Sequence, residues 1–263
     1  MTMDDIKAEQ LSRTSLIEHM QALLEPMPTV HAMWLEGADA NGYLDDYSDI
    51  DLYMDVDDEA IEAVLQMIEQ RFTMDYRHEN QSGNACRQIV YHVFGTSQYW
   101  MIDLNVQPHS NNSKNSTFER GDTIDVCKVL FDKSDVIRIK DVNLADYRSE
   151  QAFWLDESDY RFSQLSRVRK YVLRRQFPEA WIYYYKYVVE PLTAMLRILY
   201  TPTKLGYHLV HISQHLPDEQ TARLTAILQI ASLADIDRNL DAAYTWYEDL
   251  RQAIDRKTGS FSD

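Results

Sequence analysis

The chain has little cysteine, little glycine and no long apolar run. Two cysteines in 263 residues, Cys86 and Cys127, cannot build a disulfide framework and do not make a metal-ligand spacing. Reduced thiols in a cytoplasmic protein are the expectation. No stretch is apolar enough to cross a bilayer, so no membrane partner is expected. The opening MTMDDIKAEQ is polar and acidic, unlike a secretory signal. No internal repeat or low-complexity tract is found. Positive charge is also scarce: 26 Lys and Arg against 42 Asp and Glu give a formal charge of −16. Such a surface repels phosphate backbones and argues against nucleic acid, whereas a cationic small molecule is drawn by the same field. What is plentiful is apolar material, 45% of residues, enough for one large core or two smaller ones.

The most informative stretch is Trp34 to Met54, WLEGADANGYLDDYSDIDLYM. An apolar run, Val30–Leu35, breaks at Gly37, one of only seven glycines. A turn with a short helix is expected over Ala38–Ser48, then a strand over Asp49–Met54. Side chains alternate along a strand, which puts Asp49 and Asp51 on one face, roughly 6.5–7 Å apart. Two strand-borne carboxylates after a glycine turn are a seat for Mg2+, which takes a few carboxylates together with substrate phosphates. A third acid, Asp103, sits between apolar neighbours in Met101-Ile102-Asp103-Leu104. Acids are depleted in strands, which favours the metal reading over an ordinary acidic sheet edge.

These residues resemble the signature of the nucleotidyltransferase superfamily typified by DNA polymerase beta and the bacterial lincosamide and aminoglycoside antibiotic nucleotidyltransferases. The pattern is an apolar residue, Gly, Gly or Ser, a gap, then Asp, an apolar residue and a second acid, with a further acid on a later strand. VLFDKSD (Val129–Asp135) also resembles a phrase of the antibiotic enzymes. Tyr187–Pro217 is similar to the helical half of the lincosamide enzymes. The resemblance implies two Mg2+ ions bridged by Asp49 and Asp51. Asp103 would complete the ion nearer the acceptor and receive its proton, and a nucleoside triphosphate would bind against Gly37, Ala38 and Ser48. The family carries Ser or Gly where this chain has Ala38, so backbone N–H groups would replace a hydroxyl at the phosphates.

Along the chain, helical spacing predicts a helix through Leu16–Leu24 and another from Asp57 through Ile68. Strands are predicted over 72–78, 87–94, 99–106, 126–131 and 136–139, with turn-rich NQSGN at 80–84 and a polar irregular loop over 107–122. After about Val142 strand alternation gives way to helical patterns near 147–177, 179–200, 207–215, 219–232 and 235–256. The expectation is an α+β protein: a mixed-sheet nucleotidyltransferase domain (1–141) followed by an all-α helical-bundle domain (142–263), with a cleft between them. On the helix 179–200, Lys186, Glu190, Thr193 and Arg197 fall on one polar stripe at a 3.6-residue period. With Pro191 kinking that helix, Lys186 is placed at the nucleotide phosphates, and Glu190 orients the acceptor or acts as a base. A solvated face or a buried network weighs equally. Arg167, Arg169, Lys170, Arg174 and Arg175 form a basic patch, read first as a solvated or intrachain-paired face and next as a contact with a second subunit (a homodimer) or RNA. His208, His211 and His215 share one helix face and are read as structural.

The functional expectation is Mg-dependent, adenylyltransferase-like transfer of a nucleoside monophosphate to a hydroxyl of an antibiotic-like small molecule, releasing pyrophosphate. Two alternatives stay open: a catalytically weakened nucleotide-binding protein of the same fold, prompted by Ala38, and a toxin-like enzyme acting on tRNA or protein. The extra acids Asp39, Asp45, Asp46, Asp55 and Asp57 are available to attract a cationic acceptor or are ordinary surface charge.

Overall fold

A computed structural model describes residues 11–80, 86–111 and 116–259. The chain divides into two compact units, one ending at Val142 and the other beginning at Asn143.

The first unit is a mixed sheet. Helix α1 (Arg13–Leu24) starts at Ser12, whose hydroxyl accepts from the Ser15 N–H, as an N-cap does. Strands β1 (Val30–Leu35) and β2 (Ile50–Val56) run antiparallel and are bridged by Gly37 and the one-turn helix α2 (Ala38–Asn41). Then come α3 (Ile61–Arg71), β3 (Met74–Asn80), β4 (Arg87–Val93), β5 (Ile102–Pro108), β6 (Thr117–Glu119), β7 (Lys128–Asp132) and β8 (Arg138–Lys140). The main sheet has the order β3-β4-β5-β2-β1-β7, antiparallel throughout except for the parallel pair β2 and β5.

Alternation gives this sheet two different faces. Met33, Leu35, Leu52, Met54, Leu104 and Val106 join Leu16, Met20, Val64 and Ile68 of α1 and α3 in one core. The other face carries Trp34, Tyr53 and Phe118 in a smaller cluster, and on it the acids stand.

One expectation changes here and one is met. The stretch 107–122 is not wholly irregular: Thr117–Glu119 forms β6, which pairs with β8 in a two-stranded parallel sheet. VLFDKSD is the end of β7 and the expected turn after it, in which Asp132 accepts from the N–H groups of Ser134, Val136 and Ile137, and Lys133 Nζ donates to the Glu25 and Met27 carbonyls. Most of the NQSGN turn lies outside the described residues.

The second unit is all helix: α4 (Arg148–Phe162), α5 (Ser166–Leu173), α6 (Phe177–Tyr184), α7 (Glu190–Tyr200), α8 (Ile212–His215), α9 (Asp218–Leu228) and α10 (Leu233–Gly259). Its core gathers on α7 (Leu192, Met195, Leu196) and on the inner side of α10 (Leu240, Ala243, Trp246).

The expected helix over 147–177 is two helices, and the chain turns at Arg175 with φ 56°. The kink expected from Pro191 takes the form of a π-helical segment, Tyr185–Val189, in which the Glu190 N–H reaches back to the Tyr185 carbonyl. Proline has no N–H to give the preceding turn, and a wider turn before it absorbs the mismatch. His208 and His211 do not share a helix face with His215: both have positive φ and precede α8.

Candidate active site

The site grows from the end of β1. Gly37 takes φ 55°, and a Cβ there would stand 2.0 Å from Asp51 Oδ2. Only glycine allows the backbone to lie this close to the carboxylate. The Glu36 N–H donates to the Asp51 carbonyl at 3.0 Å, locking the turn to β2. Ala38 opens α2 and no side chain caps that helix.

Asp51 and Asp103 are directly opposite in the parallel β2–β5 pair. Asp49 lies one residue before β2, exposed, so the strand begins a residue later than its pattern suggested. Burial, then the charges of Asp49, Asp103 and Asp39, push the Asp51 carboxyl up to about 6. Asp103 is also raised, by burial and by Asp49, while the Gln88 amide works against the rise. That amide donates to both Asp103 oxygens, at 2.9 and 2.7 Å, and Asn105 Nδ2 adds a weaker bond at 3.3 Å.

Like charges gathered in a half-buried place raise one another's pKa, and a hard divalent cation on carboxylate oxygens removes that cost. The donor set therefore fits Mg2+. The carboxylates still stand somewhat apart. Among the described residues, the side chains whose ligand atoms all come within 4.8 Å of one another are His31, Asp55 and His109, not the three aspartates.

Three residues that sequence reasoning passed over hold this arrangement. Arg13, at the start of α1 and 9% exposed, grips both Asp39 oxygens (2.8 and 2.5 Å), the Ser48 carbonyl (3.2 Å) and the Asp49 carbonyl. It fixes the loop that delivers Asp49. Gln88 orients Asp103. Glu36 accepts from Trp34 Nε1 at 2.8 Å, and burial, then Asp125 and Asp51, lift its carboxyl to about 8. An arginine at a helix start reads as surface charge, and Gln88 sits on a strand whose pairing no local pattern gives. Only Glu36, polar at the end of an apolar run, left a local signal.

Ser48 Oγ is engaged with Asp45, donating to its carboxylate and accepting from its N–H, both at 3.0 Å. The acids expected to draw a cationic acceptor are largely taken. Asp39 is held by Arg13, Asp45 by Ser48 and the Tyr47 N–H, Asp55 by His109 and Gln107, and Asp57 by His31.

Lys186 and Glu190 belong to the second unit. Lys186 is exposed, with Nζ 5.8 Å from the Tyr187 ring centre, and Glu190 is paired with Arg161. The π segment puts Lys186 out of phase with the other three, and Thr193 and Arg197 are 2% and 0% exposed, so the four polar residues are not one open stripe. The basic patch is partly paired within the chain, Arg169 with Asp241 at 3.2 Å and Lys170 over the Tyr171 ring.

Among solved structures, an aminoglycoside 6-adenyltransferase from Bacillus subtilis is similar at 13% identity and a TM-score of 0.38, covering 95% of this chain and 92% of that one. A nucleotidyltransferase-like protein from Exiguobacterium sibiricum 255-15 is similar at 13% identity and a TM-score of 0.33, covering 94% and 75%. No curated protein matches. The family model for streptomycin adenylyltransferase matches residues 12–261, nearly the whole length, and the chain belongs to that family of nucleotide-transferring enzymes.

Proposed function

We propose that the chain transfers an adenylyl group from a nucleoside triphosphate to a hydroxyl of a cationic, aminoglycoside-type antibiotic, releasing pyrophosphate in the cytoplasm. The observation that carries this reading is the Asp51–Asp103 pair in register, with Gly37 held against Asp51 so that no side chain obstructs the approach. In that reading Asp49, Asp51 and Asp103 would hold Mg2+, which when bound would neutralise charge on the triphosphate and favour deprotonation of the attacking hydroxyl. Asp103, steadied by Gln88, takes the acceptor proton, and the turn at Gly37 and Ala38 offers backbone to the phosphates. Phosphoryl-type transfer asks the protein mainly for position and electrostatics, which suits rigid strands better than loops. The family membership supports the adenylyl donor, and the formal charge of −16 supports a cationic acceptor.

The test is a pyrophosphate-release screen of the four ribonucleoside triphosphates with Mg2+ against aminoglycosides, lincosamides and tRNA. Release with ATP and an aminoglycoside, lost in Asp51→Asn, supports the proposal. Nucleotide binding with no release for any acceptor would instead make this a weakened member of the fold, the reading Ala38 invites. Release with tRNA alone would overturn the small-molecule acceptor.

A further inference from the structure

The same polar face of the sheet carries a second cluster. Asp55 and Gln107 are opposite each other in the β2–β5 register, four residues along from Asp51 and Asp103, or about 13 Å at the strand rise. With His109 they line a cavity of about 230 Å³, which Ser134, Asp135 and Arg138 also border. Asp55 is 2% exposed and Gln107 3%. His109 Nδ1 meets Asp55 Oδ1 at 2.5 Å, and Gln107 Nε2 donates to Asp55 Oδ2 at 2.6 Å.

His31 enters from β1. The β1–β2 pairing shifts between Val30 and Ala32, so His31 is the extra residue of a bulge, a device that re-aims a side chain. Its ring stacks on that of His109, with centres 3.6 Å apart and planes 16° from parallel.

Two observations point to a ligand. His31, Asp55 and His109 each present a ligand atom within 4.8 Å of the others. Independently, Gln107 Oε1 is buried in the wall of this cavity and finds no hydrogen-bond donor among the described residues. A buried carbonyl oxygen without a partner is costly, and a cation would satisfy it. The orienting contacts of a metal-binding histidine are also present: His31 Nε2 lies 2.8 Å from Asp57 and its Nδ1 2.9 Å from Ser134 Oγ. A carboxylate behind Nε2 fixes the tautomer, and Nδ1 reaches an ion by giving up its contact with Ser134 Oγ.

We propose that His31, Asp55, Gln107 and His109 form a cation site distinct from the aspartate pocket, taking a divalent transition ion of the zinc class. Two imidazoles with carboxylate and amide oxygens are borderline donors that suit such an ion over Mg2+. Nearly parallel stacked rings cannot both aim in-plane lone pairs at one ion, so one ring leaves the stack on binding. His109, whose side chain is 42% exposed, has room to turn. The ion ties the start of β1, the end of β2 and the segment after β5 together, at the opposite end of the strands from Asp51 and Asp103.

The test titrates Zn2+ into the full chain with excess Mg2+ present, following stoichiometry by calorimetry and the histidine ring resonances by NMR. The wild type is expected to bind one equivalent with movement of the His31 and His109 signals. His109→Ala, a change at an exposed side chain, is expected to weaken binding at least about tenfold, as loss of a metal-site contact does. Zinc should raise the Tm of the wild type more than that of the variant. The double variant Asp51→Asn/Asp103→Asn is expected to keep the site. No stoichiometric binding, binding unchanged in both His109→Ala and His31→Ala, or binding lost only in the double aspartate variant would each overturn the proposal. The last of these would assign the ion to the other pocket.

Discussion

Both units place charged groups inside apolar elements, and two of these, Arg197 in the helical unit and Asp51 in the sheet unit, are treated in opposite ways. Among the described residues of the helical unit the buried charges are met. Arg197, 0% exposed, donates to the His208 and Val210 carbonyls at 2.9 and 2.6 Å, to Thr201 Oγ1 at 3.2 Å and to His215 Nδ1 at 2.8 Å, while Glu190 faces Arg161. In the sheet unit Asp51 and Asp103 stand beside each other and, among the described residues, neither joins an ion pair. Both carboxyls are raised. A charge that is fully met holds a fold together. Charges left facing one another cost stability and persist where a ligand makes up the difference. On that distinction we propose that the aspartates serve chemistry and Arg197 architecture.

The sharpest way to break the comparison is Asp51→Asn. If Asp51 serves chemistry, pyrophosphate release should fall on the order of a hundred- to a thousandfold, the scale of losing one charge-stabilising group. The melting temperature of the Mg2+-free protein should hold or rise, since a destabilising charge is gone. A variant that melts early while keeping its kcat would reverse the assignment. Arg197→Leu should do the converse. Leaving buried carbonyls without donors should cost about 3 kcal/mol, measured by urea unfolding of the full chain, and the loss should appear as stability lost rather than as a changed KM for nucleotide.

A smaller effect separates close approach from simple backbone preference. Gly37 and Gly42 both have positive φ, 55° and 85°, but a Cβ at Gly37 meets Asp51 whereas one at Gly42 meets nothing within 4 Å. Gly37→Ala should therefore cost about 2–4 kcal/mol, strain plus overpacking, and should disturb nucleotide binding. Gly42→Ala should cost about 1 kcal/mol and leave binding intact. Equal costs would remove the case that Gly37 is there for the carboxylate.

How much of this was legible in the sequence depended on the range of the interaction. Apolar alternation is local, so β1 runs over the predicted Val30–Leu35, and Asp51 and Asp103 lie on strands as their neighbours implied. That these two acids are cross-strand partners depends on β2 and β5 lying side by side, some fifty residues apart, and no local pattern encodes it. Arg13 was invisible for the same reason: its partners Asp39, Ser48 and Asp49 are 26 to 36 positions away. The helical unit misled in a different way. The stripe through Lys186 and Arg197 assumed an unbroken 3.6-residue period, and the π segment ahead of Pro191 changes the phase between them.

Glu36 tests the comparison most finely, because it is a buried acid held by a neutral donor rather than by a cation. Its carboxyl is lifted to about 8, first by burial and then by Asp125 and Asp51, against the opposing effect of the Trp34 indole. Raising an acid's pKa on folding means that between about pH 4.5 and pH 8 the native state binds a proton the unfolded chain has released. Stability then falls as pH rises through that window. Glu36→Gln keeps the shape and the acceptor for the indole but cannot ionise. Relative to wild type it should be about neutral at pH 5 and more stable by about 1–3 kcal/mol at pH 9, read from urea unfolding at the two pH values without Mg2+. A gain that is the same at both pH values would mean that Glu36 acts through packing. A loss at pH 9 would mean that its charge is met after all, and the sheet unit would then differ from the helical one only at Asp51 and Asp103.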